Sequence, residues 1–125
     1  MEAHKVDGKL YVQLAAGEEL LSSVRAACQH HLMQAATFSG IGTFSVATVV
    51  REEDGGRQVQ HGWLELLGLD GKVTWEADLF RRTVSAHAVF SYLDGATGIL
   101  HSLAGELEAA TVVTTAEITV EPVKD

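Results

Sequence analysis

The stretch GEELLSSVRAACQHHLMQAATFSGIGTFSVATVV, residues 17–50, contains the change of pattern that decides the fold. Its first part, residues 18–32, places apolar side chains at steps of one, three and four, which predicts an amphipathic helix. Its second part, residues 35–50, is rich in β-branched, small and aromatic residues, which favours strands. We therefore predict a helix that leads into a sheet.

The predicted helix has an apolar face and suitable charges at both ends. Glu18 and Glu19 are predicted in its first turn, and His30 and His31 in its last turn, which suits the helix dipole. The apolar face is formed by Leu20, Leu21, Val24, Ala27, Cys28, His31 and Leu32. Because Cys28 lies on this face, we expect a buried small hydrophobe and not a reactive thiol.

Strand patterns fill the chain on both sides of this stretch. They occur at residues 9–15, 35–50, 59–69, 72–80, 83–93 and 111–123. Residues 52–57 predict a turn, Asp70-Gly71 predicts the tight turn of a hairpin, and the stretch from Asp94 to Gly105 predicts a loop. Short connections favour antiparallel pairing. The predicted fold class is α+β, a mostly antiparallel sheet of about six or seven strands with one main helix packed on it.

Composition predicts a single globular domain, residues 1–125, because 46% of the residues are hydrophobic and only 21% are charged. No apolar run is long enough for a membrane span, and the N-terminus lacks the apolar core of a signal peptide. A single cysteine cannot form an internal disulfide. We therefore expect a cytoplasmic protein that is not associated with a membrane.

The charge balance disfavours polyanionic partners. Nine Lys and Arg residues stand against 17 Asp and Glu residues, a net charge of −8 that repels nucleic-acid phosphates and anionic lipid surfaces. Such binding would require a local basic patch. The densest basic spot is Arg81-Arg82, and two adjacent arginines are more typical of ion pairing than of a nucleic-acid site.

Four short motifs in a fixed order carry a family resemblance. They are Gly17-Glu18-Glu19-Leu20, residues 37–44 (TFSGIGTF), residues 64–71 (LELLGLDG) and Thr115-Ala116-Glu117-Ile118. With them, nearly the whole chain resembles the PPC (plants and prokaryotes conserved) domain. The resemblance implies an α+β fold with a central antiparallel sheet, a homotrimer, and a DNA-associated or regulatory role.

Within these motifs, we predict a structural role, and not a catalytic one, for four residues that we call the structural motif: Gly40, Gly42, Glu65 and Gly68. Gly40 and Gly42 lack the third glycine of a dinucleotide fingerprint and the Lys of a P-loop, so we do not predict phosphate binding there. We expect close backbone approach at these two glycines, which lets the chain turn between helix and sheet or lets subunits meet at a trimer axis.

The PPC family has a His-x-His pair followed by a Gly-Gly-His-Leu segment, which together can hold a transition metal. Here Ser85-Ala86-His87 keeps the second His, and Ala104-Gly105-Glu106-Leu107 has Glu106 in the place of the third. A different alignment puts His101 in that place, but it leaves too long a stretch before Thr115. The resemblance implies a rebuilt divalent site, such as one for Zn, from His87, Glu106 and His101 if the predicted loop folds back. The alternative is that no metal binds.

Three functions remain open at this point. The first is a non-enzymatic trimeric regulatory module that binds a protein or a small ligand between subunits. The second is DNA binding, which the family implies and the net charge disfavours. The third is a metal-dependent enzyme that uses His87, His101 and Glu106. Ser85 lies two residues from His87, but the chain has no Gly-x-Ser-x-Gly elbow. We therefore predict no hydrolase and favour the first function.

Overall fold

The chain folds into six strands and one main helix, which the computed structural model describes for residues 1–123. The elements are β1 (Glu2–Val6), β2 (Lys9–Ala15), α1 (Leu20–His30), β3 (Ala36–Arg51), β4 (Arg57–Glu76), β5 (Arg81–Leu93) and β6 (Leu100–Pro122). A single turn of 3-10 helix, Ala77–Leu79, connects β4 to β5. The α+β prediction is confirmed. Residues 124 and 125 of the predicted domain lie outside the described residues.

All strand pairs within the described residues are antiparallel, in the order β1-β2-β6-β3-β4-β5. β6 pairs with β3 along most of its length and with β2 at its C-terminal end. Its N-terminal end pairs with β5, the last strand in the order. β3, β4, β5 and the N-terminal part of β6 therefore form a closed ring of strands, whereas the C-terminal part of β6 continues the sheet to β2 and β1.

The core fills the concave inner face of the sheet, and α1 packs over it against β2, β5 and β6. Strand side chains alternate between the two faces, as in β2, where Leu10, Val12 and Leu14 are buried. At the closed end, the rings of Phe44 and Phe90 meet edge to face at 5.6 Å between centroids. Within residues 1–123, no helix has the length and apolar character to cross a membrane.

The helix is shorter than predicted at its N-terminal end. Glu19 is the N-cap, and its carboxylate accepts hydrogen bonds of 2.9 Å from the backbone N–H groups of Leu21 and Ser22. Glu18 and Glu19 therefore precede the first turn, and their predicted position inside the turn is wrong. The same Glu19 carboxylate accepts a hydrogen bond from the N–H of Ala110 in β6.

The C-terminal end of the helix also differs from the prediction. His30 is the last helical residue and His31 is the C-cap. Leu32 has a left-handed backbone with a φ of 58° and is 80% exposed, so it is not part of the apolar face. The prediction for Cys28 is confirmed, because this thiol is buried in the core and burial raises its pKa.

The predicted hairpin at Asp70-Gly71 is wrong, because β4 runs without a turn from Arg57 to Glu76. Gly71 pairs with Phe38 of β3, and a Cβ at Gly71 would overlap the Phe38 ring. The glycine makes room for an aromatic ring from the neighbouring strand. The tight turn lies instead at Asp7-Gly8, where positive φ values of 52° and 82° connect β1 to β2. The prediction did not include β1.

Two more predictions about glycine-rich segments need correction. Gly40 and Gly42 lie inside β3 and not in a turn between helix and sheet. A Cβ at Gly42 would lie 2.5 Å from the Ala116 Cβ, so the expected close approach is confirmed, with β6 of the same chain as the neighbour. The predicted loop from Asp94 to Gly105 is also too long, because β6 begins at Leu100.

Replacement of Gly71 by Ala is expected to lower the free energy of unfolding by about 2 kcal/mol, because the new methyl group overpacks the buried Phe38 ring. Gly68→Ala is the matched control on the same strand. It has open space at the Cβ position and should change stability by less than about 0.5 kcal/mol. Urea denaturation of both variants checks this, and equal destabilisation would contradict the assigned contact.

Candidate functional site

His87 lies on the outer face of β5, between the buried residues Ala86 and Ala88. In the strand register it is opposite Glu106 of β6 on one side and Asp70 of β4 on the other. Its Nε2 contacts the Oε1 of Glu52, which follows β3. Acidic residues thus flank the partly exposed imidazole on three neighbouring segments, and Glu52 is the one whose side chain contacts it. We call His87, Glu106 and Glu52 the histidine cluster.

His101 lies apart from the histidine cluster. It is in β6 and not in a loop, which corrects the prediction, and its register partner is Tyr92. The two rings stack at 5.5 Å between centroids. Glu106 follows His101 by five positions along β6. At the rise of a strand, this places the two residues about 17 Å apart and on opposite faces.

Asp94 is the acidic neighbour of His101, with 3.6 Å between the Asp94 Oδ2 and the His101 Nε2. The backbone N–H of Ala96 donates to Asp94, and this hydrogen bond is the main reason that the pKa of the carboxyl lies below its usual value. Asp94 therefore stays ionised in mildly acidic solution. This exposed pair closes the turn between β5 and β6.

The structure brings together two of the three predicted metal ligands, His87 and Glu106. Within residues 1–123, no group of three or more His, Cys, Asp or Glu side chains is arranged to hold a metal ion. The donors at the histidine cluster are one imidazole and carboxylates, a set that suits a divalent ion bound weakly from one side. Metal binding stays a prediction, with His87 and Glu106 as its geometrically compatible pair.

Glu52 was not predicted as part of this cluster. It belongs to the turn between β3 and β4, and it reaches His87 only because the sheet closes and brings this turn to β5. No spacing in the sequence indicates that contact. Ser85 lies on the same outer face, but in the described part of the chain it forms no hydrogen bond with His87. Ser85 and His87 are therefore not paired as nucleophile and base.

The structural motif residues Glu65 and Gly68 lie on β4, close to a bulge. The register between β4 and β5 shifts between Leu66 and Gly68, so that Leu67 is an extra residue and is 65% exposed. Glu65 accepts a 2.8 Å hydrogen bond from the indole Nε1 of Trp63. This bond holds the exposed Trp63 ring on the outer face of the sheet.

Large apolar side chains collect on this outer face. Leu93 of β5 pairs with Leu100 of β6, and both are more than 60% exposed. Trp63 comes one residue before the pair Leu64–Tyr92, which places it beside Leu93. Ile41 of β3 and Leu67 of β4 lie in facing irregular segments and are similarly exposed. We call Ile41, Trp63, Leu67, Leu93 and Leu100 the apolar patch.

A family model for the Plants and Prokaryotes Conserved (PCC) domain matches residues 1–124. The chain belongs to the PCC domain family. This is the same family as the PPC domain, which the sequence motifs resemble, so the predicted family is confirmed. The PCC match spans the closed sheet, the helix and the histidine cluster.

Solved structures share this PCC fold. A "putative DNA binding protein" of Bacteroides thetaiotaomicron has a TM-score of 0.82 and 18% identity, with 99% of this chain and 84% of that chain covered. A protein of the same description from Ralstonia eutropha has a TM-score of 0.80 and 23% identity, with coverage of 98% and 83%. A metal-containing protein of Archaeoglobus fulgidus has a TM-score of 0.76 and 22% identity, with coverage of 97% and 81%. No curated protein matches the chain.

We predict that any zinc bound by this PCC domain is held at His87 and not at His101. His87→Ala removes the only imidazole of the histidine cluster, whereas His101→Ala changes a stacked ring about 17 Å away along β6. Calorimetric titration with ZnCl2 measures both variants against the unmodified chain. Equal losses in the two variants would contradict this geometry, and so would a site that survives His87→Ala.

Proposed function

We propose that this PCC domain is a non-enzymatic, homotrimeric regulatory module that binds a protein or a small ligand. The observation that carries the proposal is the apolar patch on the outer face of the sheet. Family membership supports it, because the resemblance to the PPC domain implies a homotrimer. Within residues 1–123 Ser85 forms no hydrogen bond with His87, which supports a role in binding over one in hydrolysis.

The apolar patch is unusual for a surface that faces water. Its side chains range from 55% exposed at Trp63 to 68% exposed at Leu100, and they come from four adjacent strands. Exposed apolar patches mark protein interaction sites in soluble proteins. Glu65, which lies between Trp63 and Leu67 on this face, is hydrogen-bonded to the Trp63 indole. The patch lies on rigid paired strands, so that it can be buried with little loss of conformational entropy.

A cyclic trimer needs a surface that meets a different surface on the next subunit, and repeated rotation then closes the ring. The patch supplies one such surface, on β3, β4, β5 and the start of β6. His87 of the histidine cluster lies on the same outer face of β5, two residues before Val89, which pairs with Gly68 beside the patch residue Leu67. In a trimer this cluster would lie close to a subunit boundary, where a small ligand or a peptide can be held.

DNA binding is the second candidate, and it rests on the names of the two bacterial structural neighbours. The electrostatics oppose it. Each chain has a net charge of −8, so that a trimer carries three times that charge, and phosphate neutralisation requires the opposite sign. The exposed surface around His87 is also acidic, with Glu52, Asp70 and Glu106 as neighbours. A protein or small-ligand partner fits these charges better.

Leu93→Asp is expected to convert the trimer into monomers, because it places a charge between Trp63 and Leu100 in the apolar patch. Light scattering at micromolar concentration should give three times the chain mass for the unmodified protein and one chain mass for the variant. Circular dichroism should show that the variant stays folded.

Leu32→Asp is the matched control, because Leu32 is also an exposed leucine but follows the helix and is not part of the patch. It should remain a trimer. The trimer proposal fails if the unmodified chain is monomeric at this concentration. The role of the patch fails if the two aspartate variants have the same mass.

A further inference from the structure

An open cleft of about 420 Å³ lies between α1 and the start of β5. Its lining residues are Arg25, Gln29, Phe80, Arg81, Arg82 and Thr83. The volume falls in the range of small-molecule sites. The cleft is at the opposite end of β5 from Leu93, so it is separate from the apolar patch. Neither the family match nor the proposed trimer assigns a role to it.

The cleft concentrates positive charge in an acidic protein. Three of the nine Lys and Arg residues line it, although the chain has a net charge of −8. Arg25 forms no ion pair with any residue among 1–123. Arg81 uses its Nε for a 3.0 Å bond to Glu76, and Arg82 uses its Nε for a 2.7 Å bond to the Met33 carbonyl. Among residues 1–123 the terminal nitrogens of these three guanidinium groups form no hydrogen bond, so they are left for a ligand.

Two of these arginines are held in place by their neighbours. The Arg82 guanidinium lies 5.1 Å from the centre of the Trp75 ring, in a cation–π contact. Glu76 accepts hydrogen bonds from Thr83 and Arg81, and these bonds hold the pKa of its carboxyl below the usual value. Glu76 therefore stays ionised and fixes Arg81. Since the donors are ordered before a ligand arrives, binding costs less conformational entropy.

Phe80 provides the other half of the cleft. Its side chain is 82% exposed, although it is large and apolar. Its backbone is left-handed, with a φ of 49°, which is unfavourable for a residue with a Cβ by about 1 kcal/mol or more. The ring touches Trp75 edge to face at 6.4 Å between centroids. One face of an aromatic ring is thus held out beside three arginines, in a conformation that glycine would adopt more easily.

We propose that this cleft binds a small phosphorylated molecule that carries a flat ring. The phosphate accepts charge-assisted hydrogen bonds from Arg25, Arg81 and Arg82, and the ring stacks on Phe80. Guanidinium groups match the geometry of phosphate oxygens and also stack on flat groups. A long nucleic acid fits less well, because its remaining phosphates would face a chain with a net charge of −8. The proposal rests on the proposed function, because it gives the chemical class of the small ligand that the module binds, but it does not require the trimer.

The test is calorimetric titration of the whole chain at low salt with adenosine 5′-monophosphate, inorganic phosphate and a short DNA duplex. We expect saturable binding of the nucleotide, which Arg25→Gln or Arg81→Gln weakens by about tenfold or more, the loss expected for a charge-assisted hydrogen bond. Arg57→Gln is the matched control, because Arg57 is an exposed arginine that is paired with Glu108 on another part of β4 and β6. It should bind the nucleotide normally.

Phe80→Gly tests the contribution of the ring separately from that of the phosphate contacts. It removes the aromatic side chain, and glycine suits the left-handed backbone at this position. It should weaken nucleotide binding several-fold and leave binding of inorganic phosphate unchanged. The proposal is overturned if the unmodified chain does not bind the nucleotide at millimolar concentration, or if Arg25→Gln and Arg57→Gln behave alike. Tighter binding of the DNA duplex, with the same loss on Arg25→Gln, would also overturn it in favour of a nucleic-acid surface. Light scattering on the same samples reports the trimer independently.

Discussion

The pairing of β6 with three other strands is the constraint on which the rest of the structure depends. β6 joins β2 at one end, β5 at the other and β3 along most of its length. The helix is attached to the same strand, because Gly17 and Glu18 exchange backbone hydrogen bonds with Val112 and Glu19 caps the helix while it bonds to Ala110. Helix position and sheet closure are therefore set by one element.

Sheet closure also separates the surfaces of the molecule. The inner face is covered by α1 and forms the core, while the outer face carries both the apolar patch and the histidine cluster. The arginine cleft lies beyond the closed region, where β5 leaves β6 and meets the helix. An uncharged outer patch and a cationic cleft on one acidic chain suit two different kinds of contact, one with another subunit and one with a small anion.

The alternating and helical patterns predicted the element types well, because local periodicity reports which face of an element is buried. Residues 9–15 and the helix core were found in this way. The Asp-Gly signal was assigned to Asp70-Gly71, where the glycine in fact makes room for Phe38, and it was not applied to Asp7-Gly8. A local motif cannot distinguish a turn from a close contact with a distant strand.

The candidate site was predictable only in part, for a similar reason. The family motif indicated His87 and Glu106, and the structure makes them register partners. Glu52 and the gathering of Arg25 with Arg81 and Arg82 depend on contacts between distant segments, and no spacing along the chain encodes them. His101 lies apart from the cluster because it belongs to β6, which begins at Leu100, and the strand register pairs it with Tyr92 and not with His87.

The long pairing of β3 with β6 has a consequence for how the protein is made. Ala36 is paired with Pro122, and Arg51 with Gly105, so the partners lie 86 and 54 positions apart along the chain. A ribosome releases β3 well before β6, and until β6 emerges β3 has only β4 beside it. Contacts that distant are slow to form. The nascent chain must therefore keep the apolar side of β3 out of contact with other unfolded chains until its final strand has been synthesised.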